Sequence, residues 1–373
     1  MVLCCFPRTR QAGFSLVEIL VAMVIALIAM LAISSVLISN DRFQRSTIGT
    51  SDAQTTGSLA LYTIERDARM AGYGLVNSTA LGCSPIQYYY NAGGGNCGAS
   101  CYSKPVNAAS TLPDLQFVPI VIEDGVAGAP DAITIAYANP TGRVIPGVLK
   151  ETMPQPSSEL KLEEVTGFNA NDLVVVYEAG TGCSLMQVTQ VQAASAQMLQ
   201  HNPGNSAPYN PVGGTSLFPA YSKGALVFSL GQPAIKRYDI ANTQLRVIEY
   251  FSYASASSIP TFSATAQILY EQVVDLQAEY GKDTNDDGQV DTWNNVTPAV
   301  GSPDWLQILS IRIGLLVRSK DWERQEGGVC TATTALPSWT AGNFAVPGGV
   351  PSCYKYRVFE TTIPLRNMIW RES

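Results

Sequence analysis

Hydrophobic positions in this chain fall into three successive patterns, and each predicts a different kind of element. From Ile19 to Asn40 no side chain is charged. An apolar run of about 20 residues is what an α-helix needs to cross a bilayer, at about 1.5 Å of rise per residue. Between 58 and 70 the apolar positions Leu61, Ile64 and Ala68 recur at spacings of three and four, with Glu65, Arg66, Asp67 and Arg69 elsewhere on the wheel. That is the pattern of an amphipathic helix laying one face on a globular domain. Gly49 and Gly57 lower helix propensity between the halves, so a bend is expected there. The Gly72-Tyr73-Gly74 cluster predicts the stop. The reading is one helix over 14–72, spanning lipid over about 14–40 and packed on a sheet beyond.

Further along, the period changes to two. Leu309, Ile311, Ile313, Leu315 and Val317 alternate with Ser310, Arg312, Gly314, Leu316 and Arg318, which predicts a strand with one face on a core. Its partner is expected over 274–280. Other strands are expected over 132–137, 172–177, 185–191, 225–230, 245–250 and 356–363, the last ended by Pro364. The stretches 75–104, 203–219 and 331–351 are expected to be exposed loops. Gly93-Gly94-Gly95 is not a phosphate cradle, since no Lys-Ser/Thr or helix signal follows. The fold class is therefore α+β, a long N-terminal helix packed on a large antiparallel β-rich globular domain over 73–373, in one or two lobes. No internal repeat is evident.

What precedes the apolar run changes its meaning. A signal peptide places its small-residue cleavage site after the apolar core, whereas here Gly13 lies before it, just behind Arg8 and Arg10. Cleavage after Gly13 sheds a basic leader, 1–13, and keeps the apolar helix. The one carboxylate, Glu18, then stands fifth in the mature chain, where an unpaired charge costs several kcal/mol (about) in hydrocarbon. Its natural partner is the new α-amino group at Phe14 of a neighbouring copy. The plainer alternative is a signal anchor with an incidental glutamate, but an anchor gains nothing from that acid.

Composition narrows the class. The chain carries −7, and losing Arg8 and Arg10 takes it to −9. An acidic chain is a poor partner for nucleic-acid phosphates, so no direct nucleic-acid contact is expected. Of eight cysteines, Cys4 and Cys5 leave with the leader. Cys83, Cys97, Cys101, Cys183, Cys330 and Cys353 remain. An even number in an exported domain reads as disulfides, with fifteen pairings open for six. Proximity favours Cys97–Cys101 and Cys330–Cys353, leaving Cys83–Cys183. A metal reading is poor, because there is no CxxC pair and one histidine.

Gly13-Phe14-Ser15-Leu16-Val17-Glu18 and the run after it resemble the class III, prepilin-type signal of type IV pilins and pseudopilins. The resemblance implies that a prepilin peptidase cuts after Gly13 and methylates Phe14, and that Glu18 registers the subunit against its neighbour. Four further blocks are similar to the PilW group of minor pilins: Ile64-Glu65-Arg66-Asp67-Ala68-Arg69-Met70-Ala71-Gly72-Tyr73 followed by Gly82-Cys83; Asn171-Asp172-Leu173-Val174-Val175-Val176 with Gln187-Val188-Thr189; Ile311-Arg312-Ile313-Gly314-Leu315-Leu316-Val317-Arg318-Ser319; and Tyr356-Arg357-Val358-Phe359-Glu360-Thr361-Thr362-Ile363-Pro364-Leu365-Arg366-Asn367. Pro364 departs from the small or aliphatic residue of the group. The resemblance implies a low-abundance, tip-proximal subunit that helps initiate pilus assembly. Implied partners are the prepilin peptidase, other minor pilins, the major pilin, the inner-membrane assembly platform and a PilY-type tip adhesin. The implied location is the inner membrane with a periplasmic domain, then the extracellular pilus. Alternatives are a type II secretion pseudopilin, a tip adhesin binding through its Cys-bearing loops, and an anchored enzyme.

One loop has the spacing of a cation site. Asp283, Asn285, Asp287 and Asp291 stand at positions one, three, five and nine, with Gly288 at six and the Gln289 carbonyl at seven. That is most of an EF-hand-type calcium loop, although position twelve is Asn294 rather than Glu. The competing reading is a polar turn that binds nothing. Catalysis has little support. His201 sits alone in an Asn-Pro-Gly-Asn loop, where it is expected to be exposed, and neither G-x-S-x-G nor H-E-x-x-H occurs.

Overall fold

Leu16–Ala68 forms one α-helix of 53 residues, about 80 Å long at the usual rise. The computed structural model describes residues 13–369 except 76–79, 82, 84, 93–100, 105–109, 111, 141, 143, 156–158, 195, 204–206, 212–217, 256–257, 300, 324–329, 331, 334, 336 and 345–352. The first half of the helix is bare: its apolar 18-residue window buries nothing. The second half buries Gly49, Ala53, Gly57, Ala60, Ile64, Asp67 and Ala68, a stripe at spacings of three and four. This stripe is made of small residues, so the backbone comes close to the sheet beneath.

The expected bend is absent, and the helix runs unbroken through Gly49 and Gly57. Both glycines are contact points. A Cβ at Gly57 would overlap the Phe359 ring, and one at Gly49 would touch Ser319. The predicted stop holds: after Ala68 the chain turns, Gly72 and Gly74 take positive φ of 78° and 66°, and the Gly72 N–H donates to the Ala136 carbonyl. Gly57→Leu is expected to lower domain stability by about 1–3 kcal/mol through overpacking, despite its gain in helix propensity. Adding Phe359→Ala should return part of that loss, and urea melts of the two single variants and the double would measure it.

Two antiparallel sheets sit beside the helix. The C-terminal one orders Thr292–Asn294, Val273–Lys282, Ile308–Arg318 and Tyr356–Pro364. Ile311, Ile313, Leu315 and Val317 face the helix in the first core, with Ile64 and Ala60. The middle sheet orders Ile120–Glu123, Ala132–Tyr137, Ala234–Ala241, Gln244–Glu249 and Ala266–Glu271. Its Ile133, Ile135, Tyr238 and Leu245 enter the same core, while Ala136 and Ile235 enter a second one.

A distal sheet, ordered Gly147–Val148, Leu226–Gly231, Leu173–Glu178 and Gly182–Gln187, closes that second core. Leu173 and Val175 point into it, and Val174 and Val176 into a third core on the other face. Leu160–Lys161, Met198–Gln200 and Gln190–Gln192 form a small sheet whose Leu160 and Leu199 join this third core. The fold is α+β, as the sequence predicts, and the antiparallel β-rich domain contains disulfides.

Two expected surface loops run through the interior where they are described. Tyr88 enters the second core and Tyr89 the third, where it meets Tyr102 edge-on at 5.0 Å. Gln87 bridges to Ser184 and Tyr89 to Tyr102. Two hydroxyls there are satisfied: that of Tyr88 donates to the Pro113 carbonyl at 2.9 Å and that of Ser103 to the Ile86 carbonyl at 3.1 Å. Tyr209 and Asn210 are likewise buried, Asn210 accepting from the Gln187 N–H at 2.9 Å. Glycine and asparagine punctuation signals loops in sequence; bulky tyrosines between them turn these loops inward. Strand Tyr356–Pro364 also includes Pro364 as its last residue, which sits at the strand end where a missing N–H costs least.

Two buried carboxylates meet at the strand Val273–Lys282, Asp275 on it and Asp131 beside it. Asp131 accepts from the N–H groups of Gly125 and Ala278, both at 2.8 Å, while Asp275 accepts from the Gln277 amide at 3.0 Å. The second Asp275 oxygen has no hydrogen-bond partner among the described residues. Burial pushes both acids up to about 6, and Asp131 adds to the rise at Asp275. Because the folded pKa lies above the unfolded one, each contributes stability that is full below about 4 and lost as pH rises through 6. Stability should therefore rise as pH falls from 7 toward 4.5. Asp275→Asn should flatten that rise in urea midpoints measured across the range.

Candidate functional site

The leading half of the helix presents the residues that the sequence singles out. Gly13 is exposed, and among the described residues nothing lies within 4 Å of a Cβ built on it. Phe14 and Glu18 are exposed as well, and Glu18, Ala22 and Ala26 follow Phe14 at four-residue steps along one face. One Glu18 oxygen accepts from the Ser15 N–H at 3.0 Å. This carboxylate thus meets an orphan donor at the helix N-terminus, where the helix dipole favours negative charge. Ser35 donates its hydroxyl to the Ala32 carbonyl at 2.8 Å, so this polar side chain within the apolar run is also satisfied.

The trailing half is tied down by a buried charge that sequence reasoning placed on the polar side of the wheel. Asp67 is 3% exposed. It accepts from Lys236 Nζ at 2.9 Å and from the Tyr238 hydroxyl at 2.6 Å, while Arg66 Nε stands 3.5 Å away. Glu249 lies 3.4 Å from the same Lys236. Burial alone would lower the Lys236 pKa, but its bond to Asp67 raises it above the ordinary lysine value. The signal was present: Asp67 follows Ile64 by three, so it belongs to the buried stripe.

The acidic loop joins Val273–Lys282 to Thr292–Asn294, with Gly288 at φ 83°. Asp283 organises it, its carboxylate accepting from the N–H groups of Asn285, Asp286, Asp287 and Gly288 at 2.6–3.3 Å. Burial works against the charge there, yet those donors hold the carboxyl below its usual range. Asp291 accepts from the N–H and hydroxyl of Thr284 at 2.8 and 2.9 Å. The Asn285 amide nitrogen stands 3.3 Å from Asp287 Oδ2 and 3.5 Å from Asp291 Oδ1, and the Gln289 N–H donates to Asp287 Oδ1 at 2.8 Å. The five residues are brought together, with an amide donor between two carboxylates. The fit to a cation is partial: the Asn285 amide must turn its oxygen inward, and Asp283 already serves the backbone. Among the described residues no group of three or more His, Cys, Asp or Glu side chains is arranged to hold a metal ion.

Cys83–Cys183 and Cys330–Cys353 form the expected bonds, with Cα separations of 6.3 and 4.4 Å. Cys101 is disulfide-bonded too, while Cys97 lies outside the described residues. His201 is buried at 9% exposure rather than exposed. It directly follows the strand Met198–Gln200, whose Gln200 carbonyl accepts from the Thr189 N–H, so this stretch is drawn onto the domain.

Comparison with known proteins agrees with this arrangement. Residues 241–367 match the model of the family Type IV Pilus-assembly protein W, and residues 8–34 match the prokaryotic N-terminal methylation motif. The first match takes in the C-terminal sheet and the middle-sheet strands Gln244–Glu249 and Ala266–Glu271; the second takes in Gly13, Phe14 and Glu18. A type IV-like pilin from Thermus thermophilus is similar in structure at 11% identity and a TM-score of 0.31, over 83% of this chain and 95% of that one, a value at which the likeness carries no argument. No curated protein matches the chain.

Proposed function

We propose that this chain is a pilin of the type IV pilus-assembly protein W group, supported by the family match over 241–367 and the methylation motif over 8–34, and that it acts as a low-abundance subunit that helps initiate pilus assembly near the tip. The observation that carries the reading is a single helix with two environments, bare and apolar over its first half and docked on a sheet over its second, preceded by Gly13-Phe14 and carrying Glu18. The matched family is one of assembly, not catalysis. A prepilin peptidase removes 1–13, the segment 14–40 holds the mature protein in the inner membrane, and the domain over 73–373 faces the periplasm until extraction. In the filament, apolar packing between helices replaces lipid, and Glu18 exchanges its Ser15 N–H for a neighbour's amine. Its partners are then other minor pilins, the major pilin, the assembly platform and a PilY-type adhesin.

Intact-mass and N-terminal peptide analysis of the protein from membranes, with and without the peptidase gene, tests the processing. A chain starting at N-methyl-Phe14 only when the peptidase is present supports it; an uncut chain in both strains overturns it. Gly13→Ala should block cleavage, and because no described residue crowds that position, a block reports recognition rather than misfolding of the domain. Glu18→Val should insert normally yet lose co-purification with other pilins; unchanged co-purification would remove the registering role.

We also propose that the acidic loop takes Ca²⁺ through Asp283, Asn285, Asp287, Asp291 and the Gln289 carbonyl. A hard cation suits that oxygen set. Millimolar calcium, but not magnesium, should raise the melting temperature, and Asp287→Ala should remove the effect. Equal melting with and without calcium would leave a polar turn.

A further inference from the structure

The C-terminal sheet has a direction relative to the membrane. Lys355 Nζ bonds Ser46 Oγ, Phe359 lies over Gly57, and the Asn367 amide donates to the Ala71 carbonyl at 2.9 Å. Tyr356–Pro364 therefore climbs alongside the helix, away from the apolar half. Its antiparallel neighbour Ile308–Arg318, paired from Ser310↔Pro364 to Arg318↔Tyr356, descends toward that half. Pairing continues below the sheet: the Ser319 N–H donates to the Lys355 carbonyl and the Glu323 N–H to that of Cys353, both at 2.7 Å. The two segments form a ribbon that carries on past the level of Gly49, and Cys353 is bonded to Cys330.

Low on the described part of this ribbon stands an aromatic pair. Trp322 is 56% exposed, and its ring meets Tyr354 edge-on at 5.9 Å. The indole N–H donates to the Tyr354 hydroxyl, and Arg318 lies 4.3 Å over the Tyr354 ring. Gly49 is nine residues above Asn40, about 13 Å along the helix; the chain bends at Lys320 and Asp321, and because Ser319 pairs with Lys355 and Glu323 with Cys353, the ribbon descends by two partner residues there, about 7 Å. The headgroup layer adds about 5–7 Å beyond the hydrocarbon on each side. Trp322 thus comes down to the level of the headgroups, where Arg42 and Arg45 also leave the apolar run on the helix.

We infer that the Trp322–Tyr354 pair of this ribbon, with Lys320 near it in the chain and with Arg42 and the Asp41-paired Arg45 following the apolar run on the helix, rests in the headgroup layer of the membrane that anchors the helix. Indole and phenol rings prefer that layer, with an apolar body and a polar edge, and the basic side chains suit anionic phospholipids. The contact gives the subunit a second foothold besides its helix and fixes the tilt of the domain on the bilayer before extraction. The inference rests on the membrane-anchored reading proposed above.

The test uses the mature full chain in nanodiscs of phosphatidylethanolamine and phosphatidylglycerol, with part of the lipid spin-labelled just below the headgroup. Tryptophan emission should be quenched in wild type, and Trp322→Phe should remove most of the quenchable emission. Trp339→Phe, changed at the Glu360 level of the sheet above that pair, should leave it unchanged. Quenching equal in Trp322→Phe and wild type, with the chain still held in the discs, would overturn the contact while keeping the anchorage. A chain that leaves the discs would overturn both.

Discussion

Replacing Cys83 and Cys183 by serine should cost the domain about 4–5 kcal/mol, the loss expected when a bond closing a loop of about 100 residues is removed from the unfolded chain. The sequence separation is 100, against 23 for Cys330–Cys353, for which the same relation gives about 3.4 kcal/mol. Position reinforces length. Cys183 is fully buried on the strand Gly182–Gln187, packed in the second core with Leu185 and Phe228, and Cys83 lies against the same cluster. The Cys83 carbonyl accepts from the Phe117 N–H, so the bond fastens the segment that leaves the helix to the distal sheet. Urea melts of the double serine variant, with Cys330 and Cys353 intact, would measure the loss. A change below about 1 kcal/mol would mean that the unfolded chain is already constrained there.

What could be read from the chain depended on how regularly an element's apolar positions repeat. Ile308–Arg318 was legible because its alternation is clean, and the helix because its apolar run and amphipathic end carry different periods. Ala234–Ala241 was not, since Lys236, Arg237 and Asp239 break its hydrophobic pattern. In the fold those charges are matched: Lys236 reaches Asp67, Arg237 reaches Glu123 and Asp239, and Arg246 reaches Asp239 at 2.8 Å from the paired strand. A strand whose charges are satisfied across the sheet looks like a loop until its partners are known. Its turn is equally quiet, with Asn242 and Thr243 at positive φ of 52° and 58° in a two-residue hairpin without glycine. Gly49 and Gly57 show the converse limit. Propensity suggests weakness at a glycine, but only the opposing side chain reveals a close approach. At the leading end, Gly13, Phe14 and Glu18 were legible as a motif, whereas the ion pair behind the docking of the helix required the fold.

That ion pair carries the second large effect. Asp67→Ala should destabilise the domain by about 3–5 kcal/mol, because it leaves Lys236 and the Tyr238 hydroxyl buried without their shared acceptor. The nearby Glu249 carboxylate, 3.4 Å from Lys236, should hold the loss toward the lower end. Tyr238→Phe removes one bond to a charged group and should cost only about 1.5–3 kcal/mol. Replacing both charges, Asp67→Leu with Lys236→Met, should recover much of the loss, since neither charge then remains unpaired in the core. The folded pKa of Lys236 is raised, so its contribution is complete below the unfolded lysine value and lost only as pH rises through the higher folded one. The pair is therefore whole at neutral pH, and these comparisons can be made there without a titration correction. Hydrogen exchange locates the effect: amides of 64–71 should open first in Asp67→Ala, while membrane insertion through 14–40 stays intact. Uniform loss of protection across all three cores would instead mean that the helix is not separately latched, and that the small-residue stripe from Gly49 to Ala68 holds it without this pair.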